Sequence, residues 1–557
     1  MKLEHQLEFI SHRSTVISSN GIVATSQPLA VAAGLQILAS GGNAADAAVA
    51  AAAALNVTEP TSTGIGGDCF AMYYDAGARK VSALNGSGRA PAGLTIERLE
   101  REGFGQELPP FHPYTITVPG ACAGWFDLSE LHGRLSMEDA LQPAIRLAED
   151  GFPVAPITAY FWDRGARRQL RDAPGGSELT IEGRAPRAGE IFRNLGLART
   201  FKRIAEFGKD EFYQGEIAQA IVDVVEGAGG CLSLEDLTEH RSTWEQPIST
   251  LYRDKRIWEC PPNGQGLTAL LALNILEGFE ISSMQPLSTE RLHLEIESLR
   301  LAFADTRWYV TDPVYSPAPL DLLLSKAYAA ERRKLIDRNR AVLDQRHGTP
   351  YISSDTVYLS VVDAEGNACS FINSNYMGFG TGIVPAGWGF SLQNRGHNFS
   401  LDRVHPNALA PGKRPYHTII PAMATCSVGN DVDDGHQSSS DDGELYASFG
   451  VMGGFMQPQG HLQVITALLD DGLDPQTALD RPRYCIKDGT PGGEVALEEG
   501  ISPRTVEQLA ALGHPVDLVS GYARAIFGRG QIIVKDADRG VYWAGSDPRA
   551  DGCAMSV

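Results

Sequence analysis

The chain has 557 residues, with 47 Lys+Arg against 68 Asp+Glu and a formal charge of −21. Hydrophobic residues at 43% and charged residues at 21% give the balance of a soluble globular protein, and the acidic excess, with no basic stripe, excludes a general nucleic-acid binder. No apolar run reaches the ~18 residues that suggest a membrane span, the N-terminus lacks the basic start and apolar core of a signal peptide, and eight cysteines stand singly without a CxxC pair. The expectation is a reduced, cytoplasmic protein with neither nucleic acid nor membrane as partner.

In chain order, the first predicted element is a helix from about Pro28 to Leu55, interrupted at Gly41-Gly42-Asn43. Asn43 is placed to cap Ala44–Ala50, and so little side-chain bulk predicts close packing, most simply on a sheet. Thr61–Asp68 reads as a glycine-rich turn feeding a strand, Cys69–Tyr74. Helices are expected near 136–150, 190–207, 215–228, 264–278 and 288–305. Thr356–Asp363 alternates as a strand, Ala364-Glu365-Gly366-Asn367 turns, and Ala368–Ser374 returns, which is a hairpin signal. A strand at Leu445–Phe449 runs into Gly450–Gly454, and a helix follows at about 460–471. Residues 430–444, acidic, Ser-rich and without apolar anchors, read as a mobile surface insertion rather than a calcium loop, because their acids lack EF-hand spacing. Strands and helices mixed throughout indicate an α/β or α+β class.

Familiar signatures are missing: there is no HExxH, no Walker A loop and no G-x-S-x-G. Thr356 follows a polar, irregular stretch and opens a strongly hydrophobic strand. Local sequence fits ordinary β-propensity there, but a cut at Asp355–Thr356 would free an α-amine with a pKa of about 8. That amine can accept the proton of its own hydroxyl and activate it against an acyl carbon. Such a nucleophile carries its own base, so neither a metal nor an organic cofactor is implied.

Several blocks stand in one order: Gly41–Ala50, Thr63–Asp68, Val118-Pro119-Gly120, Thr356–Asp363 with Gly366-Asn367, Phe379–Gly382, and Lys413-Arg414-Pro415 before Gly453-Gly454. In these the chain resembles the γ-glutamyltransferase family of N-terminal-nucleophile hydrolases, over nearly its whole length. The resemblance implies an α+β fold, a four-layer αββα sandwich made from one precursor. That precursor would cleave itself at Asp355–Thr356 into a large subunit, 1–355, and a small catalytic subunit, 356–557. It implies Thr356 as nucleophile, Ser374 as a second hydroxyl where the family usually has Thr, and Gly453 and Gly454 as oxyanion-hole donors, each contributing ~3–4 kcal/mol. Read locally, the same two glycines make a strand-to-helix turn.

The substrate-reading positions depart from the family pattern. Where the family has Arg-Glu-x-Ala-Pro, this chain has Ser87-Gly88-Arg89-Ala90-Pro91, which moves the cation to Arg89. The family's Asn, Gln and Asp head-group contacts become Tyr376, Arg395 and Asn398, and its paired serines become His417 and Thr418. Loss of a carboxylate at Asn398 and gain of Arg395 suit capture of a carboxylate, unless Arg395 pairs with a structural acid such as Asp402. Asn373–Gly380, Arg414–Thr418 and Met456–His461 resemble the subgroup that includes oxamate amidohydrolase and some acylases, with His417 and His461 as candidate pocket groups.

The function implied is a self-processing, glutathione hydrolase-like amidohydrolase that cleaves γ-glutamyl or related amides through an acyl-enzyme. The alternatives are an amidohydrolase or acylase for a small carboxylate-bearing amide with little γ-glutamyl transfer, and an inactive binding member. The implied partners are a small-molecule amide and the two subunits of one precursor; a homo-oligomer is compatible with the sequence. On a denaturing gel the wild type is expected as fragments 1–355 and 356–557, and Thr356→Ala as one full-length chain. Active enzyme whose N-terminal sequencing yields no Thr would contradict this scheme.

Overall fold

The computed structural model describes residues 13–105, 107–345, 357–427 and 441–557. The cleavage site Asp355–Thr356 therefore lies outside the described residues, as does most of the acidic insertion. The predicted hairpin is present: Val357–Val362 pairs antiparallel with Ala368–Ser374, from Val357↔Asn373 to Val362↔Ala368. Gly366, at φ +89°, makes the turn that an L side chain would strain. Every residue of both strands is buried, because the hairpin is the centre of a sheet covered on both faces.

That sheet has seven antiparallel strands, in the order Cys553–Ser556, Ile22–Thr25, Val357–Val362, Ala368–Ser374, Asp68–Asp75, Lys80–Gly86 and Thr243–Glu245. A second seven-stranded antiparallel sheet runs Val16–Ser18, Val541–Ser546, Arg529–Asp536, Leu445–Met452, Ala422–Cys426, Lys255–Glu259 and Ile248–Tyr252. The sheets meet face to face. Ser360 Oγ donates to Ser448 Oγ at 2.6 Å across the gap, and the Tyr358 ring lies against Gly450, where an added Cβ would fall 2.5 Å from it.

Helices cover both outer faces. Pro28–Ala39 and Ala44–Thr58 pack on the first sheet, and Gly266–Leu276 and Met456–Leu469 on the second. The result is the four-layer αββα sandwich. Ala44–Thr58 is buried along all 15 residues, which its small side chains permit. Its start is the predicted cap: Asn43 Oδ1 accepts from Ala45 N–H and Asp46 N–H, and Asp46 accepts from Asn43 N–H at 3.0 Å.

One expected boundary is corrected here. The helix expected from 190 starts at Leu195, because Asn194 caps it and Ile191–Phe192 pairs with Phe152–Pro153. The end of the insertion is anchored by polar contacts rather than apolar ones: Asp442 accepts from Val81 N–H at 2.9 Å and pairs with Lys80 at 3.0 Å, while Tyr74 Oη donates to Gly443 O. None of the eight cysteines is in a disulfide, and among the described residues no helix is long and apolar enough to cross a membrane.

Asp363 joins the hairpin to the alanine helix. One oxygen accepts from Glu365 and Asn367 N–H, and the other from Ala44 N–H at 3.1 Å and Asn367 Nδ2 at 2.9 Å. Unsatisfied buried donors cost ~1–3 kcal/mol each. Asp363→Ala should therefore destabilise the protein by at least ~3 kcal/mol, read as a fall in the urea midpoint, whereas an unchanged midpoint would refute this role.

Candidate active site

The site is assembled by the loop that leaves the hairpin. Ser374 ends the strand, fully buried, and its Oγ accepts from Tyr376 N–H at 2.9 Å. This bond helps hold Tyr376 at φ +80°, a left-handed conformation that costs a bulky residue ~1–2 kcal/mol. So turned, the Tyr376 ring lies 4.4 Å from the Arg395 guanidinium carbon, and its hydroxyl donates to Asn398 Oδ1. Asn398 Nδ2 donates to Tyr416 O at 3.0 Å, so both ends of that amide are occupied.

Arg395 is fully buried. Its Nη1 donates to Thr418 Oγ1 at 2.7 Å, while Nε and Nη2 meet no acceptor among the described residues. Burial pushes the guanidinium down to about 10, against the pull of Asp68, so it stays cationic at neutral pH. The pairing with Asp402 does not form: Asp402 instead accepts from Val404 N–H in a surface turn.

Asp68 faces this cation from the start of its strand. One oxygen accepts from Gly88 N–H (2.9 Å), Gly120 N–H (3.2 Å) and Gln393 Nε2 (3.0 Å), and the other from His417 Nε2 (3.0 Å). Burial alone would raise its pKa, but the His417 hydrogen bond and the nearby positive charge hold it below the usual range.

The oxyanion candidates close the site. Gly453 and Gly454, at φ +133° and +60°, turn the strand Leu445–Met452 into the helix Met456–Leu469. A Cβ on Gly453 would meet Gly528 Cα and Met456 Cβ at 3.2 Å. Gln265 links this turn to the arginine: its Nε2 donates to Gly454 O at 2.8 Å and Thr418 O at 2.7 Å. Ser374, Tyr376, Arg395, Asn398, Thr418 and Gly454 thus belong to one hydrogen-bonded and stacked assembly.

The family described as Gamma-glutamyltranspeptidase matches residues 30–557. The chain belongs to that family. It is 36% identical over 550 residues to the Glutathione hydrolase-like YwrD proenzyme of Bacillus subtilis, covering 98% of this chain and 99% of that one. The Oxamate amidohydrolase proenzyme of Klebsiella pneumoniae is 32% identical, with 97% and 99% covered. A crystal structure of cephalosporin acylase from Bacillus halodurans superposes with a TM-score of 0.90 at 45% identity, over 100% of this chain and 99% of that chain. As a gamma-glutamyltranspeptidase-family chain, it is an N-terminal-nucleophile hydrolase.

Other positions expected in this gamma-glutamyltranspeptidase-family site take different places. His417 has both ring nitrogens engaged internally, Nε2 on Asp68 and Nδ1 accepting from Ile419 N–H at 3.3 Å, which makes it a support of the site rather than a ligand contact. His461 bonds Glu259 at 2.6 Å beneath the second sheet. Arg89 is half-exposed; its carbonyl accepts from Val118 N–H, and its charge is felt by Arg414.

Sequence reasoning missed Gln265 and the role of Asp68, whose partners come from segments distant in sequence. It also missed His293, Glu297 and His514, whose metal-ligating atoms lie together. Arg300 Nη2 faces His514 Nδ1 at 3.5 Å, which assigns the proton to Nε2; that proton is donated to His293 Nδ1 at 2.8 Å, and His293 Nε2 donates to Asp337 O. The group is a proton-ordered chain of neutral rings.

Buried neutral histidines set an acid limit. Burial, aided by nearby arginines, pushes His417, His240 and His514 down to about 3 each. The unfolded rings titrate near 6.5. Below that pH the unfolded chain takes up protons that the fold refuses, so stability is complete above pH 6.5 and is lost progressively toward pH 3. The urea midpoint should fall across this window. His240→Phe removes a ring whose nitrogens have no partner among the described residues and should flatten the slope; an unaltered slope would contradict the assignment.

Proposed function

We propose that the protein hydrolyses amides whose acyl part carries a carboxylate and no ammonium group. The observation that carries this reading is Arg395, buried, stacked on Tyr376, with Nε and Nη2 unpaired among the described residues. Those two nitrogens form the side of a guanidinium suited to bidentate carboxylate binding. Around it, Asp68 already accepts four hydrogen bonds and Asn398 is neutral and occupied. A γ-glutamyl ammonium would be buried beside a cation without an anionic partner, at a cost of several kcal/mol. The similarity to an oxamate amidohydrolase supports the reading, since oxamate is itself a carboxylate-bearing amide.

In this scheme the Thr356 hydroxyl attacks the amide carbon, its proton passing to the Thr356 α-amine and then to the leaving amine. The N–H groups of Gly453 and Gly454 receive the developing oxyanion. Water, deprotonated by the same amine, then releases the acid from the threonine ester. Maturation uses the same hydroxyl against the Asp355 carbonyl.

Glutaryl-p-nitroanilide and γ-glutamyl-p-nitroanilide differ by one α-amine. Wild-type kcat/KM should favour the glutaryl compound by at least about tenfold, a difference of ~1.4 kcal/mol. Arg395→Lys, which keeps charge but loses the fork, should lower glutaryl turnover by about 10–100-fold. Equal use of the two anilides by the wild type would defeat this reading.

A further inference from the structure

We infer that Gln169 is a positioning residue that fixes the pose of Tyr376 and, through it, the face that Arg395 offers to the substrate. The inference rests on the proposed function for what that face binds, but its geometry stands apart from it. Gln169 lies in a π-helical turn, Ala166–Leu170, that extends the helix Pro156–Gly165. The turn is closed by Arg171 N–H donating to Ala166 O, five residues back, at 3.0 Å. Such turns insert one residue into a helix and redirect the side chains that follow; they are frequent at functional sites.

Here the redirected side chain reaches across to the loop beyond Tyr376. Gln169 Nε2 donates to Met377 O and to Gly380 O, both at 2.7 Å, which uses both of its protons. Its Oε1 lies 3.4 Å from Phe379 N–H. The fit is tight: a Cβ on Gly378 would fall 2.6 Å from Gln169 Oε1, and one on Gly382 would fall 2.3 Å from Gln169 O. Phe379 packs on Gly165, where a Cβ would stand 2.6 Å from its ring.

Met377 is therefore held at both of its backbone polar groups, its carbonyl by Gln169 and its N–H by Asn394 Oδ1 at 3.1 Å. With Ser374 Oγ bonded to Tyr376 N–H, the left-handed tyrosine is clamped on both sides. Such a conformation persists when its surroundings over-determine it. Gln169 supplies the clamp after the tyrosine. Released from it, Tyr376 can relax toward ordinary φ, which withdraws its ring from Arg395 and its hydroxyl from Asn398.

The test uses Gln169→Met, of similar length but without hydrogen bonds, in the full chain. Glutaryl-p-nitroanilide and the uncharged pentanoyl-p-nitroanilide are compared in wild-type and Tyr376→Ala backgrounds. In wild type, Gln169→Met should raise KM for the glutaryl compound about tenfold, leave its kcat within about twofold, and barely alter pentanoyl turnover. In Tyr376→Ala it should change the favoured anilide less than about twofold, because the residue it acts through is gone. Equal losses on both anilides, no loss on either, or losses that multiply with Tyr376→Ala would overturn the inference. Equal wild-type use of glutaryl and γ-glutamyl anilides would instead defeat the functional reading, while non-additivity with Tyr376 would still uphold the clamp.

Discussion

The site depends on one buried carboxylate. Asp68 receives four hydrogen bonds from four separate segments, at Gly88, Gly120, Gln393 and His417. Charge-assisted bonds of this kind contribute about 1.5–3 kcal/mol each, and together they keep an anion ionised with no solvent exposure. The two glycines are compulsory: a Cβ on Gly88 would fall 1.6 Å from Val118 O, and one on Gly120 would fall 1.9 Å from Gly86 O. Only a backbone without side chains can come so close. The anion in turn makes the fully buried Arg395 tolerable, since burial alone disfavours the charged guanidinium and Asp68 opposes that effect.

From Asp68 outward, the chemistry is arranged by amides rather than by ionisable groups. Gln265 ties the Gly454 turn to Thr418, Asn398 orients Tyr376, and Gln393 supports Asp68. Amides are suited to this work, because each offers a donor and an acceptor without altering the local charge. The electrostatic character of the pocket is then left to the Arg395–Asp68 pair of opposite charges.

Much of the fold was legible in the sequence because it is locally encoded. The Asn43 cap, the hairpin around Gly366 and the long helix Thr289–Tyr309 follow from residue type and spacing within a few positions. The helix expected from Gly460 starts earlier, at Met456, because Pro458 sits in its first turn, where a missing N–H costs nothing. The site was legible only in part. Tyr376, Arg395, Asn398 and Thr418 stand out as departures from a family pattern, and the structure brings these four together. Gln169, Gln265 and Asp68 act through bonds to residues between 20 and 349 positions away, and no local pattern marks them. His417 and His461 look like pocket groups by residue type, but partners met only in the folded chain engage both ring nitrogens of His417 and the Nδ1 of His461.

The order of strands in the two sheets ignores the Asp355–Thr356 boundary. In one sheet, strands from either side of it meet at Cys553–Ser556/Ile22–Thr25, at Ile22–Thr25/Val357–Val362 and at Ala368–Ser374/Asp68–Asp75; in the other they meet at Val16–Ser18/Val541–Ser546 and at Ala422–Cys426/Lys255–Glu259. The segments on either side of that boundary are therefore woven together, and each alone would leave bare hydrogen-bonding edges on its strands. Continuity of the chain keeps the strands of both segments in one volume while the two sheets close.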